Sequence, residues 1–202
     1  MSDTFLSPHL VFKQKTADVT DYYWFEEGFT KEEIDRIISD MTMLPQVEGG
    51  VASHATGEAL HSVRKSTIKW IPQNPHFLWI YERLAKLITE ANDNVWQFDL
   101  GGIFDSIQFT QYDEGGGHYD WHLDIGPDEL SLRKISLTIQ MSDDSEYEGG
   151  ELEFLRGGEP RKAPRGKGVV VIFPSYLLHR VSPVAKGTRK SMVLWVGGGR
   201  YK

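Results

Sequence analysis

The sequence predicts a mainly β fold with flanking helices: a jelly-roll (double-stranded β-helix) core of about eight strands, with helices of the N-terminal half packing on it. Three observations carry this expectation. Helical periodicity is confined to the first half of the chain, and short strand-like runs recur at regular spacing from about Ile103 onward. The separators between those runs are rich in Gly, Pro and Asp, and no helix-length pattern interrupts them. Such a pattern reads as a sandwich or barrel, and eight strands is the number in a jelly roll.

The elements follow in order. Thr30-Lys31-Glu32-Glu33 is a capping box, and Ile34, Ile37, Ile38 and Met41 follow at helical spacing. Asn74-Pro75 reads as the cap of a second helix, with Leu78, Tyr81, Leu84, Ile88 and Ala91 as its apolar face. Between them, Pro45 to Ser62 reads as a loop and a candidate lid, and Val63 to Ile71 as a strand. The eight strands are expected near Ile107–Tyr112, Tyr119–Asp124, Lys134–Met141, Gly150–Leu155, Arg161–Ala163, Val169–Phe173, Leu177–Val181 and Arg189–Val196. Asp113-Glu-Gly-Gly-Gly, Ile125-Gly-Pro-Asp, Arg156-Gly-Gly-Glu-Pro and Pro164-Arg-Gly-Lys-Gly separate several of them. A length of 202 residues suits one domain, with residues 1–102 as a support region and 103–197 as the core. No internal repeat stands out.

Composition narrows the chemistry. With Lys plus Arg 22 and Asp plus Glu 29, the net charge is −7, which gives no footprint for a phosphate backbone and weighs against nucleic acid as partner. The start lacks a basic and apolar signal segment, and the run Val169–Phe173 is far short of the ~20 residues that span a bilayer, so the expectation is a cytoplasmic protein without a membrane partner. There is no cysteine. Thiolate zinc sites, cysteine-ligated clusters and cysteine nucleophiles are therefore excluded, and any metal must sit on His, Asp or Glu.

Of seven histidines, one belongs to a compact ligand pattern, His122-Leu123-Asp124. Residues i and i+2 of a strand share a side, so an imidazole and a carboxylate are presented together. His179, near the start of the seventh strand, is the best candidate for a third ligand. Two His and one carboxylate on one face, with the opposite positions open, is the arrangement of non-haem Fe(II) oxygenases. His118 reads as a loop residue or as an outer partner of a ligand rather than a ligand itself, and His9, His54, His61 and His76, with no partners at ligand spacing, are assigned to surface or loop. Arg189 and Ser191 share a face at the start of the last strand, where a guanidinium beside a hydroxyl can clasp a carboxylate. Asp143 to Glu148 is an acidic run read as a solvated loop, attraction of a basic substrate being the other reading.

With these residues in hand, the chain resembles the Fe(II)/2-oxoglutarate-dependent dioxygenases, specifically the prolyl 4-hydroxylase-like group that includes the PKHD-type hydroxylases. The resemblance runs from Phe25-Glu-Glu-Gly-Phe-Thr-Lys-Glu-Glu through Gln111-Tyr-Asp-Glu-Gly-Gly-Gly-His-Tyr-Asp-Trp-His-Leu-Asp and Gly149-Gly-Glu-Leu-Glu-Phe. It continues through His179-Arg-Val-Ser-Pro-Val and Gly187-Thr-Arg-Lys-Ser-Met-Val-Leu-Trp. It implies that His122, Asp124 and His179 ligate Fe(II), and that Arg189, with Ser191 beside it, binds the far carboxylate of 2-oxoglutarate. Lys190 is the alternative, disfavoured by strand parity. Tyr112 stands ten residues before His122, where relatives place a tyrosine on the cosubstrate; a core aromatic is the other reading. Gln140 stands where some relatives have a tyrosine that touches the cosubstrate, and its amide can donate instead. Trp195 is assigned to core packing.

The resemblance further implies O2 as co-reactant, ascorbate as a supporting reductant, and hydroxylation of an unactivated C–H bond with release of succinate and CO2. Asp124 favours hydroxylation, because related halogenases lack that carboxylate. The substrate would be a prolyl or lysyl residue of a peptide or protein, a free amino acid or another small molecule. The rival readings are a nucleic-acid demethylase of the same superfamily, a non-catalytic metal-binding jelly roll, and a hydrolytic zinc enzyme. The last two leave the Arg189–Ser191 clasp unexplained.

Overall fold

The structure is a computed structural model and describes residues 20–50 and 61–200. Its elements in chain order are β1 (Tyr23–Phe25), α1 (Lys31–Asp40), β2 (Val47–Gly49), β3 (Arg64–Ile71), α2 (Leu78–Ala91), β4 (Leu100–Gly102), β5 (Ile107–Asp113), β6 (His118–His122) and β7 (Arg133–Gln140). They are followed by β8 (Tyr147–Gly149), β9 (Leu152–Leu155), β10 (Arg161–Lys162), β11 (Val170–Pro174), β12 (Leu178–Val181) and β13 (Val184–Gly198). All strand pairs are antiparallel. The strands form one curled path in the order β1-β11-β7-β13-β5-β3-β6-β12-β9-β10. The sheet folds over at β3, which pairs β5 on one side and, through Arg64 and Lys65, β6 on the other. A larger wall (β11, β7, β13, β5, β3) thus faces a smaller one (β6, β12, β9).

The mainly β architecture with two helices matches the sequence expectation, and each of the eight expected strands has a counterpart. The differences have local causes. Tyr147–Gly149, inside the acidic run expected to be a loop, is a strand because Tyr147 is buried and the segment pairs with the start of β13. That pairing also makes β13 longer than the Arg189–Val196 run that reads as a strand. Gly187, with φ of 75°, lets the two approach, since a side chain there would run into the Glu146 carbonyl. Pro45 to Ser62 is not wholly loop, because Val47–Gly49 pairs with Ile68–Ser66 of β3. Residues 51–60, the centre of the candidate lid, lie outside the described residues, as does His9.

The helices sit on the outside of the larger wall. The Thr30 capping box forms as read: Thr30 Oγ1 accepts from Glu33 N at 3.2 Å and Glu33 Oε2 accepts from Thr30 N at 2.9 Å. Glu33 also pairs with Arg83 of α2 at 3.0 Å, so one carboxylate both caps α1 and ties it to its neighbour. In α2 the reading needs correction. The helix starts at Leu78 rather than at Pro75, because Asn74 Oδ1 accepts from His76 N and Phe77 N and so caps a preceding turn. Leu78 is 47% exposed, and Ile80 takes its place beside buried Tyr81, Leu84, Ile88 and Ala91. These side chains and Ile34, Ile37 and Met41 of the α1 segment pack on Ile107, Phe109, Ile135, Leu137, Ile139, Met192, Leu194 and Val196 of the sheet. That apolar face fixes the larger wall from behind and leaves its opposite face to line a cavity.

Candidate metal centre and its cavity

The last residue of β6 is His122, and the facing residue of β12 is His179. Asp124 lies two residues past the end of β6, where its backbone N–H donates to Ser175 O at 3.0 Å. The strand ends sooner than the sequence suggests, yet the turn keeps the carboxylate on the same side as His122. Asp124 Oδ1 is 3.7 Å from His122 Nε2, and its Oδ2 is 3.5 Å from His179 Nε2. One atom of each residue lies within 4.8 Å of the others, and no other such group occurs among the described residues.

The hydrogen bonds decide what this group can bind. His122 Nδ1 lies 2.7 Å from Asp120 O, and His179 Nδ1 lies 2.8 Å from Leu177 O. A carbonyl only accepts, so each neutral ring carries its proton on Nδ1 and turns a bare Nε2 to the carboxylate. Nothing in the cluster donates, and Asp124 Oδ2 has no hydrogen-bond partner. Burial, the neighbouring His179 and, more weakly, Arg64 push His122 down to about 4, against Asp124 and the Asp120 carbonyl, which favour its charged form. Burial works to raise Asp124, but His179 and His122, the Ser136 hydroxyl and the Trp195 indole hold it below the usual carboxylate range. A neutral His122 and an ionised Asp124 are in the protonation states that metal ligation needs. The donor set fits Fe(II): two imidazole nitrogens and one carboxylate on one side of a cavity.

The rings are locked by packing. Tyr119 stacks on His122 with centroids 3.5 Å apart, and Phe173 meets His179 edge-on at 4.7 Å. Above them opens a cavity of about 260 Å3, walled by the inner face of the larger sheet. Arg189, only 1% exposed, lines it. Its Nη1 donates to Ser191 Oγ at 3.2 Å, its Nη2 donates to Gln140 Oε1 at 2.9 Å, and the guanidinium carbon lies 5.5 Å from the Tyr112 ring centre. The structure thus gathers Arg189, Ser191, Tyr112 and Gln140 at one place. Gln140 stands apart from the cavity wall, however: its oxygen holds Arg189 and its amide reaches Pro164 O at 3.5 Å. Thr138, two residues earlier on β7, lines the cavity instead. Lys190 is not on the cavity wall either.

Two further differences concern residues read as bland or passed over. Trp195, assigned to core packing, is buried but forms cavity wall, with the Arg133 guanidinium 4.0 Å from its ring. Arg64, which drew no attention in the sequence, also lines the cavity; its Nε donates to Ser66 Oγ at 2.9 Å. The signal that finds it is a repeated tripeptide, Arg-Lys-Ser at 64–66 and again at 189–191. The remaining described histidines stay outside. His118 is held by Gly116 O and Ser62 O, His76 pairs with Asp40, and His61 lies near Glu48. His54 lies outside the described residues.

Residues 107–197 match the model of the 2OG-Fe(II) oxygenase superfamily, a family whose name states its cosubstrate and metal. A PKHD-type hydroxylase of Synechococcus sp. (strain CC9902) is 38% identical over 93 residues, which cover 45% of this chain and 40% of that relative. The chain therefore spans well under two thirds of that relative's length. The crystal structure of a Pseudomonas putida prolyl-4-hydroxylase matches the fold with a TM-score of 0.65 at 18% identity, covering 90% of this chain and 94% of the other. A Trichoplax adhaerens prolyl hydroxylase in complex with a hypoxia inducible factor peptide fragment matches with a TM-score of 0.72 at 16% identity, over 88% and 84%. No helix among the described residues is long and apolar enough to cross a membrane. In the family match over residues 107–197, in the sequence relatives and in the fold that carries the His-Asp-His group, the chain is similar to the 2OG-Fe(II) oxygenase superfamily and to the prolyl 4-hydroxylases within it.

Proposed function

We propose that residues 1–202 act as one catalytic domain, a cytoplasmic Fe(II)- and 2-oxoglutarate-dependent dioxygenase. It hydroxylates an unactivated C–H bond of a prolyl or lysyl residue or of a free amino acid. One observation carries the reading: a cluster made only of acceptors, His122, Asp124 and His179, opens on the same cavity as a buried arginine that no described carboxylate pairs with. Such a pairing suits a cation beside a bound anion, and 2-oxoglutarate is an anion that ligates iron.

His122, Asp124 and His179 would hold the iron, which when bound supplies, with O2 and 2-oxoglutarate, the coupled release of succinate and CO2 and oxidation of the substrate; ascorbate would support it as reductant. The chain's own part is positioning. Arg189 and Ser191 take the far carboxylate, and Gln140 keeps the guanidinium fork turned toward it. The ring of Tyr112 lies beneath that fork. Burial pushes the Tyr119 hydroxyl up to about 12, so it keeps its proton and can only donate to an anionic neighbour at neutral pH. Phe173, Leu152 and Trp195 exclude water from the walls.

Anaerobic titration with Fe(II) and 2-oxoglutarate tests the reading. The paired complex should give a weak visible charge-transfer band, and air should then yield succinate. Neither band nor succinate would overturn it. A succinate-coupled screen of peptides and metabolites, with mass spectrometry for a product heavier by one oxygen atom, identifies the substrate.

A further inference from the structure

On the cavity wall, Arg64 makes a second arginine–serine pair, with Ser66 behind it, that the cosubstrate leaves unused. Arg64 opens β3 and faces Tyr119 of β6 across the fold of the sheet. It is 7% exposed, Ser66 is 9% exposed, and their Nε–Oγ bond of 2.9 Å mirrors the Arg189–Ser191 bond of 3.2 Å. The same tripeptide thus places two buried guanidinium–hydroxyl pairs on strands of one sheet, and both arginines line one cavity. The Arg64 guanidinium carbon lies 4.7 Å from the centre of the Tyr119 ring, which is also stacked on the His122 imidazole. One aromatic ring therefore touches both Arg64 and a proposed metal ligand. No carboxylate among the described residues forms an ion pair with it, whereas Arg133 at the cavity edge is paired with Asp105 at 2.8 Å.

Charge counting gives this pair a purpose. A divalent metal less the Asp124 carboxylate leaves one positive charge, and Arg189 supplies another. The two carboxylates of 2-oxoglutarate answer both. Arg64 is then a buried cation with no counter-charge among the described residues, an arrangement that is costly unless an anion arrives to complete it. We propose that Arg64, held in place by Ser66, forms a carboxylate clasp for the substrate, so that the molecule hydroxylated bears its own carboxylate close to the reacting carbon. This rests on the dioxygenase reading above and narrows it. The substrate is a free amino acid or similar small acid, or the C-terminal residue of a peptide, rather than a residue inside a chain.

The test is calorimetric binding to the full chain loaded with redox-inert Zn(II) and saturating 2-oxoglutarate. The probes are free L-amino acids and their α-amides, and peptides ending in the same residues with free or amidated C-termini. At least one free-carboxylate probe should bind at least tenfold more tightly than its amide; the amino-acid and peptide arms distinguish the two sources of the carboxylate. R64Q should erase that difference while leaving the affinity for 2-oxoglutarate within twofold, and R189Q should do the reverse. S66A, a smaller change that keeps the charge, should shrink the difference partway if R64Q does not fold. Equal binding of acids and amides by the wild type would overturn the clasp, as would binding of no carboxylate probe. A loss of 2-oxoglutarate affinity in R64Q as large as in R189Q would also overturn it. Failure of the wild type to bind 2-oxoglutarate would instead strike the dioxygenase reading beneath it.

Discussion

The larger sheet turns two unlike faces to its neighbours, and both are buried. Toward the helices it presents Ile107, Phe109, Leu137, Ile139, Met192 and Leu194; toward the cavity, from the same strands, it presents Gln108, Thr110, Tyr112, Ser136, Thr138, Arg189 and Ser191. Leu137 and Ser136 are both fully buried, at 0% exposure. Burial alone therefore does not separate the stabilising face from the working one; chemistry does. Apolar side chains gain from leaving water, at about 25 cal/mol per Å2 of area. Buried hydroxyls, amides and guanidinium groups lose unless partnered. Here the partners are local, as in Gln108 Nε2 to Thr110 Oγ1 at 2.9 Å and Ser136 Oγ with Ser175 Oγ at 2.9 Å. A few atoms are left over, Arg189 Nε and Asp124 Oδ2 among them. The helix-backed face supplies the stability that lets its reverse remain polar and incompletely satisfied.

Substitutions on the two faces should therefore fail in different ways. The largest effect is expected for His179→Ala, which removes one of the three proposed ligands: succinate formation should fall below about a thousandth of wild type, beyond the 10–100-fold typical of outer partners of a metal ligand. Its thermal midpoint without metal should stay near that of the wild type. A melt as damaged as that of a core variant would erase the distinction between the faces.

Leu137→Ala, one residue from Ser136 but on the helix side, should cost about 2–5 kcal/mol in denaturant unfolding. The protein that remains folded should bind 2-oxoglutarate with unchanged affinity. Arg189→Ala should raise the 2-oxoglutarate requirement by roughly tenfold or more, about 1.4 kcal/mol or above, with turnover recovered at saturation. Equal loss of maximal turnover in this variant and in His179→Ala would show that the two residues do not have separate roles.

The smallest effect concerns the helix side. Burial works to raise Glu33, but the Thr30 N–H and Arg83 hold it below the usual carboxylate range. A carboxyl depressed in the folded state adds stability that is full above its unfolded value, near 4.5, and is lost as pH falls through the lower folded value. Glu33→Gln should therefore lower stability at neutral pH by about 1 kcal/mol or less and flatten the acid limb of the stability–pH curve. An unchanged acid limb would show that the cap carries no such linkage.

Much of the molecule was legible in one dimension. Strand and helix periods announce which residues turn to one side, so the capping box, the strand of His122 and the shared face of Arg189 and Ser191 could be read directly. What escaped is instructive. Leu78 fits the helical stripe of α2, yet the turn capped by Asn74 delays the helix and leaves Leu78 exposed. Tyr147 sits in an acidic run that looks solvated, yet pairing with β13 buries it. Trp195 has the composition of a core residue and lines a cavity instead, because parity says which residues share a face and not what that face meets.

The sequence by itself determined the chemistry available. Without cysteine, a metal has only imidazoles and carboxylates, and the His122-x-Asp124 spacing is a local fact of the chain. Only the tertiary structure decided the rest. The pairing of β6 with β12 brings His179 to His122 across 57 residues of chain, and backbone carbonyls at Asp120 and Leu177 choose the tautomers. The fold of the sheet at β3 carries Arg64 into the cavity of Arg189, 125 residues away in sequence. The physical reason is that periodicity is short-ranged: it sets the side of a strand on which a residue stands, while strand pairing over long separations sets which residues stand together.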